Sequence, residues 1–418
     1  MNRKRVLMIM LCITLVLSWG LMATACGGGG DQASDASASS ASSEETQPDQ
    51  DATDTEEPAP ADVGTKTIGV YADANGVYYD QLVNVFTAAA EQDPDCDWKV
   101  EYKLGQGTAE DQVSAVENFI TAGYDAMIVI QNNPDTTGEC LEKAAAANIP
   151  YFGACHYFGQ LENASLSAGS TNFDFIEAGK MAGADALAKG VSKVVMIEGV
   201  LGQGSASDQS LGFVQAYEDA GKSLGEKEDG SKWTAEEIAT EKPDASKIKG
   251  SPDITIVQWS SGEWVSEPSQ KEMANAISSL GKDGWDGAYV HNNAMMEGAM
   301  MAVADAGLST DQYWLGSCNG RDISWQWVKD KKISMDVNQP ANMEGCLLYQ
   351  MVKAYFNGED YRKHVHPYLT AYNQDDLAEI EPSLVPCDNA DDFITGMNAN
   401  AFVWEITDPK FKDIEGKY

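Results

Sequence analysis

Basic residues are scarce in this chain. Lys and Arg number 28 against 65 Asp and Glu, a formal charge of −37 over 418 residues, and a surface of that sign repels phosphate backbones and anionic headgroups. Nucleic-acid binding is therefore excluded as an expectation. Histidine occurs only at His156, His291, His364 and His366. His364 and His366 would face one way on a strand, which reads as a polar strand face rather than a metal site. Cys12 and Cys26 lie near the start, and Cys96, Cys140, Cys155, Cys318, Cys346 and Cys387 show no CxxC or metal-ligand spacing. No disulfide pairing follows from them. Signatures such as GxSxG and HExxH are missing, and Glu263 with Glu267 carries no glycosidase information in so acidic a chain. No catalysis, metal or cofactor is expected. Gly (38) and Pro (14) are near average and aromatics make up 9%, which excludes collagen-like, coiled-coil and wholly disordered classes.

What is present begins with one long apolar run. Arg3, Lys4 and Arg5 precede Val6 to Met22, and Ala23-Thr24-Ala25-Cys26 closes the segment with small residues and a cysteine. This resembles a bacterial lipoprotein signal, although Ala23 stands where such signals prefer Leu. The resemblance implies that residues 1–26 form the signal segment, cleaved before Cys26, which would become the lipid-bearing N-terminus. The alternative is an uncleaved anchor of about 20 residues; both place the remainder outside the cytoplasm. Residues 27–65 hold ten acidic residues, no Lys or Arg, and no large apolar residue except Val63, the composition of a self-repelling, disordered tether.

From Lys66 onward the hydrophobic period alternates between strand and helix. Strands are predicted at Thr67 to Ala72, Trp98 to Tyr102, Ala126 to Ile130 and Ile149 to Ala154, with helical spacing between them, as in Leu82, Val85, Phe86 and Ala89. A second series follows: helix 174–189, strand 193–198, helix 208–220, strand 254–259, helix 270–280, strand 287–291, helix 294–306 and strand 313–317. The fold class is α/β, with two doubly wound parallel-sheet lobes. Ligands of such sheets bind at the carboxyl ends of the strands.

Asn172 with Ala178-Gly179-Lys180, Gly212-Phe213, Asn292-Asn293 with Met295 and Gly298-Ala299, Gly316 to Gly320, and Gln339-Pro340 with Gly345 together resemble the type I periplasmic binding proteins. The nearest group is the sugar-binding, ribose and galactose branch of ABC importers. The resemblance covers about Lys66 to His366 and implies two lobes joined by a three-crossover hinge that closes on a small ligand. It places 66–156 plus 340–366 in the first lobe, and 157–339 plus 367–418 in the second lobe and tail. It further implies an extracellular, lipid-anchored monomer that captures a monosaccharide or related polyol and delivers it to an ABC permease, touching the membrane through its lipid alone. A surface receptor presenting a nucleoside or sugar-like signal to a sensory partner is the alternative on the same fold.

The same resemblance carries the candidate ligand residues. Asn75, Tyr78 and Tyr79 fall where the family has an Asn and paired aromatics, a turn followed by core-facing tyrosines being the other reading. Asn133 stands at a hydroxyl-binding Asp, or caps a helix. Cys155 and His156 replace a common Asp-Arg pair, and Ser207 or Gln209 takes the place of an arginine. Asn292 corresponds to a ligand-binding Asn, with a helix cap as its alternative; Asn293 replaces the Asp that follows. Cys318 or Asn319 occupies a further Asp position, and Gln339 matches a ligand-binding Gln. Amides of this kind hold sugar hydroxyls bidentately. Trp259 and Trp264 offer a stacking face or pack at a lobe edge. Gly202-Gln203-Gly204-Ser205 is not GxGxxG, and no dinucleotide fingerprint opens the first βα unit. Met295, Met296, Met300 and Met301 suit a buried helix face.

Overall fold

The structure, a computed structural model, describes residues 64–73, 76–131, 134–399 and 412–413. The signal, Cys26, residues 27–63 of the tether, Asn75 and Asn133 lie outside the described residues. Among those described, no helix is long and apolar enough to cross a membrane.

The first half runs β1 (Lys66–Ala72), α1 (Val77–Gln92), β2 (Trp98–Leu104), α2 (Ala109–Ala122), β3 (Ala126–Ile130), α3 (Pro134–Ala146), β4 (Tyr151–Ala154) and β5 (Gly169–Thr171). Every residue of β3 is buried, as its unbroken apolar run requires when helices cover both faces. Thr108 starts α2 by accepting from the Asp111 amide, and Gly123 ends it in the left-handed region. The second series runs α4 (Phe175–Ala188), β6 (Lys193–Glu198), α5 (Gly204–Asp219), α6 (Ala235–Glu241), β7 (Thr255–Ser261), α7 (Ser266–Leu280), β8 (Gly287–Val290), α8 (Asn293–Asp305), β9 (Trp314–Cys318), α9 (Asp322–Lys329) and β10 (Met335–Asn338). Then come α10 (Ala341–Asn357), β11 (His364–His366), β12 (Thr370–Asn373), α11 (Leu377–Ile380), α12 (Ala390–Ala399) and β13 (Lys412–Asp413).

Two sheets result, ordered β13-β11-β5-β4-β3-β1-β2 and β12-β10-β9-β8-β6-β7. Among the described residues, the ladders between these strands are parallel except β11 with β13 and β10 with β12. This is the expected two-lobed, doubly wound α/β architecture.

The lobe boundaries need two corrections. The first sheet does not end at His156: β5 pairs with β4 and β11, so the chain changes sheets after Thr171. Ser167 prepares that return by donating to the Tyr151 carbonyl, and His364 meets Ser170 at 2.9 Å across the β5–β11 ladder. Nor does all of 367–418 belong to the second lobe. β12 and α11 do, but α12 lays Phe393 and Met397 into the core shared with Phe86 of α1, and β13 pairs with β11 of the first sheet. Burial of the apolar face of α12 draws the tail back. The three expected crossings, after β5, after β10 and after β11, are joined by a fourth after α11.

The fourth crossing is tied to both lobes at one point. Gln81 on α1 donates to the Cys387 carbonyl at 3.1 Å and to Asp388 at 3.3 Å. From the second lobe, the Arg321 guanidinium reaches both carboxylate oxygens of Asp388 at 3.2 and 3.3 Å, and Asp322 accepts from the Cys387 amide at 2.7 Å.

The segment between α5 and β7 is a further excursion that the α/β alternation does not anticipate. Glu226 bridges Lys232 and Lys249 in antiparallel fashion. Thr234 and Glu237 form a capping box at the start of α6, and α6 ends at Lys242, which is left-handed at φ 46°.

Candidate functional site

The carboxyl ends of the strands carry nearly every polar side chain singled out in the sequence. In the first lobe, Asp73 follows β1, Gln131 follows β3, and Cys155 with His156 follows β4. Tyr78 and Tyr79, on the first turn of α1, meet edge to face with ring centroids 6.2 Å apart. Each is bonded to a carboxylate: the Tyr78 hydroxyl donates to Glu344 at 2.6 Å, and Tyr79 is bonded to Asp73. Both phenols are held well above the usual tyrosine range by burial, reinforced by these negative neighbours.

Cys155 has φ 67°, and the His156 amide donates back to the Ala154 carbonyl at 2.8 Å, the strained γ-turn that points the following side chain away from the strand line. The His156 carbonyl accepts from Gln131 at 3.0 Å, while its Nε2 is buried with no protein hydrogen bond. Burial pushes this imidazole down to about 4, so it is neutral at pH 7.

In the second lobe, His291 and Asn292 follow β8. Asn292 caps α8, its Oδ1 accepting from the Met295 amide at 2.7 Å, and its Nδ2 donates to the Trp264 carbonyl at 3.1 Å. Each polar atom of its side chain thus has one protein partner, and a second N–H and a second lone pair are left over. Gln209 is buried and accepts from Tyr289 at 3.1 Å, whereas Ser207, one turn from the start of α5, is half-buried. Asn319 sits at φ 105° and accepts from the Asn293 amide at 3.3 Å. Asn293 turns inward: it donates to Asp336 at 2.9 Å and accepts from the Arg321 amide at 3.0 Å. Asp336 also accepts from Gly320, Ser324 and Tyr372, pinning β10, α8, α9 and β12 together. Gln339, at the β10 crossing, is buried with its Oε1 free of protein partners.

Trp264 forms the rim of this wall. Glu263 and Trp264 are consecutive left-handed residues at φ 53° and 62°, a conformation costly for side chains of this size. It presses the indole onto Gly199, where no side chain would fit, and brings Nε1 to 2.6 Å from Gln203 Oε1. The His291 ring lies 6.4 Å away. Trp259 instead packs under Lys242, whose Nζ stands 4.7 Å above its ring. Met295 and Met296 are buried as expected, but Met301 is 48% exposed, so the methionine face ends before it.

Three residues were not among the sequence candidates. Glu344 is an isolated acid on the apolar face of α10 formed by Met343, Leu347 and Leu348, and it is fully buried; a charge in an apolar stripe is the signal that could have revealed it. Asp73 closes β1. Glu198, fully buried at the end of β6, accepts from Ser210 at 2.5 Å and from Lys242 at 2.8 Å; its partner comes from the unanticipated excursion.

The buried acids and imidazoles give stability an unusual pH course. Burial raises Glu344 from 4.5 to about 7, and Asp336 and Asp208 from 3.8 to about 6, so the folded chain takes up these protons at higher pH than the unfolded one. Stability from them rises as pH falls through those values. His156, His291 and His364 move oppositely, from 6.5 to about 4, about 3 and about 3, so as pH falls towards 6.5 and below the unfolded chain gains protons that the fold refuses. The two sets oppose each other, and the melting temperature of wild type should change little from pH 8 to about 6.5. Differential scanning calorimetry of wild type and Glu344→Gln checks this, the variant, which lacks the acid that takes up its proton near 7, being expected to lose stability as pH falls through that window.

Comparison with known proteins agrees with this geometry. Residues 68–360 match the family described as periplasmic binding protein domain. The chain is similar to the galactofuranose-binding protein YtfQ of Escherichia coli strain K12, 27% identical over 248 residues, 58% of this chain and 67% of that one. Among solved structures it resembles a galactofuranose binding protein, with TM-score 0.62 and 23% identity over 75% of this chain and 96% of the other. It also resembles the periplasmic binding component of the arabinose ABC transporter from Shewanella sp. ANA-3, bound to arabinofuranose, with TM-score 0.62 and 19% identity over 75% and 94%. With the family matched over most of its length and the two doubly wound sheets in place, this chain belongs to the periplasmic binding protein domain family.

Proposed function

We propose that this protein captures a small neutral carbohydrate between its two lobes and delivers it to an ABC permease, tethered to the outer face of the cell membrane by lipid at Cys26. The observation that carries ligand capture is a pair of buried polar atoms beside the strand ends without protein partners, His156 Nε2 and Gln339 Oε1. Buried polar groups are almost always paired, and a polyol supplies hydroxyls that both donate and accept. The relatives' sugars, galactofuranose and arabinofuranose, make five-membered rings the first ligands to test, and Trp264 offers its indole for their C–H face. Closure of the lobes on the sugar would create the form the permease recognises.

The test is thermal unfolding against arabinose, galactose, fructose, myo-inositol and a set of nucleosides, since a ligand that binds only the folded state raises the midpoint. A shift with one or a few sugars is expected; a shift with nucleosides alone would sink the carbohydrate reading. Gln339→Ala should weaken binding of the shifting sugar by about 1–3 kcal/mol, measured by calorimetry, with the unliganded melting temperature little changed. Equal affinity would remove Gln339 from the site.

A further inference from the structure

Glu344 stands at a junction in the first-lobe wall. One oxygen accepts the Tyr78 hydroxyl proton at 2.6 Å, and the other meets the Cys155 amide at 2.9 Å. That amide also donates to Thr171 of β5 at 3.0 Å, so its direction is fixed by the ladder, whereas a phenol hydroxyl can rotate. The sequence resemblance expects an acid in the turn after β4; here the turn carries Cys155, and the carboxylate arrives from α10. We propose that Glu344 is a positioning residue that sets the hydrogen-bonding polarity of Tyr78, so that this wall accepts hydrogen bonds from ligand hydroxyls and disfavours ligand groups that can only accept. The inference rests on the carbohydrate reading of the cleft.

The reasoning is one of donor and acceptor counting. A carboxylate accepts from both neighbours, leaving Tyr78 committed as a donor and presenting only its lone pairs. A protonated acid or an amide has a donor that must face one neighbour. It cannot face the fixed Cys155 N–H, so it turns to Tyr78, whose hydroxyl then reverses and presents its proton. Burial brings the Glu344 titration to about 7, so both states fall within an accessible pH range. The titratable groups around it are Tyr78 and Tyr79 from α1, Asp73 beyond β1, and the Cys155 thiol and His156 beyond β4. The phenols and the thiol stay protonated and His156 stays neutral from pH 6 to 8, since burial holds the first three above their ordinary values and the imidazole below it. Glu344, raised to about 7, changes charge across that window.

The experiment has two arms. In the first, the affinities of wild type and Glu344→Gln for arabinose, galactose and myo-inositol are measured by calorimetry between pH 6 and 8. Wild type should lose affinity from pH 8 to pH 6, by at most the roughly tenfold that linkage to one group titrating near 7 allows, while Glu344→Gln should bind no more tightly than acid wild type at every pH. A variant that binds like wild type at pH 8, or keeps the same pH dependence, overturns the proposal. The second arm needs no ligand: 13C NMR of labelled Glu carboxyls and Tyr Cζ in the full protein. The Tyr78 Cζ signal should follow the Glu344 midpoint, and Tyr78→Phe, which leaves α10 untouched, should raise that midpoint by removing a donor to the carboxylate. A Tyr78 signal that ignores the midpoint, or a midpoint unmoved in Tyr78→Phe, refutes the inference even if Glu344→Gln does not fold. If none of the three sugars binds while the second arm succeeds, the carbohydrate reading fails and the polarity device stands.

Discussion

Gly212→Ala is expected to destabilise the protein by about 3 kcal/mol, a large effect for one methyl group. Gly212 lies on α5 where its backbone rests on α4, and an added Cβ would fall inside contact distance of the Ile176 carbonyl. Gly179, on the facing helix, meets the Gln209 carbonyl in the same way. Neither obstacle is a side-chain tip that can swing aside, so the helices must separate. Separation would loosen Phe213, stacked on Tyr289 at 4.9 Å, together with the buried Gln209. The urea midpoint of the variant reports the loss. A midpoint equal to wild type would mean that α4 and α5 move apart by the width of a methyl at no cost.

The second large effect should come from Lys242→Met. Glu198 is fully buried, and Lys242 is its cationic partner, 21% exposed in its side chain. With the ammonium gone, the carboxylate keeps only Ser210, and a buried charge stripped of its partner typically costs about 3–5 kcal/mol. Methionine retains the stem over Trp259, so lost packing contributes little. Adding Glu198→Gln should return much of the stability, because the pair removed together leaves no uncompensated charge. Calorimetric melting of the single and double variants distinguishes this from a surface ion pair, for which both changes would be small.

The fold was readable because the residues that carry the family resemblance are themselves packing devices. Gly179 and Gly212 join α4 to α5, Gly298 lets α8 touch the Ser266 carbonyl of α7, and Gly345 lets α10 touch the Leu82 carbonyl of α1. Together with the apolar runs of β1, β3, β6 and β8 they specify which elements touch, and the two sheets follow. The site was less readable because its residues serve competing local demands. Asn292 has the position expected of a ligand contact, and the start of α8 also draws on it as a cap, so the two demands fall on one side chain. Tyr78 and Tyr79 lie next to each other in sequence, but the acids that orient them come from the end of β1 and from α10, a long-range pairing that no local pattern announces. β5 escaped notice because Gly-Ser-Thr is too short for a period to show. The tail escaped because its return to the first lobe is decided by the apolar face of α12 rather than by any strand signal.

That tail has a consequence for how the chain is made. The first sheet opens with Lys66 and closes with Lys412–Asp413, while the second sheet is complete once Asn373 has been added. A chain emerging N-terminus first thus carries the oldest half of its first lobe, edge open, through the synthesis of the whole second lobe. Contacts so distant in sequence form late, and an unpaired edge is a hazard while it waits. Export in an unfolded state would spare the protein this interval, since the last strand and the first would then reach the far side of the membrane before either had to find its partner.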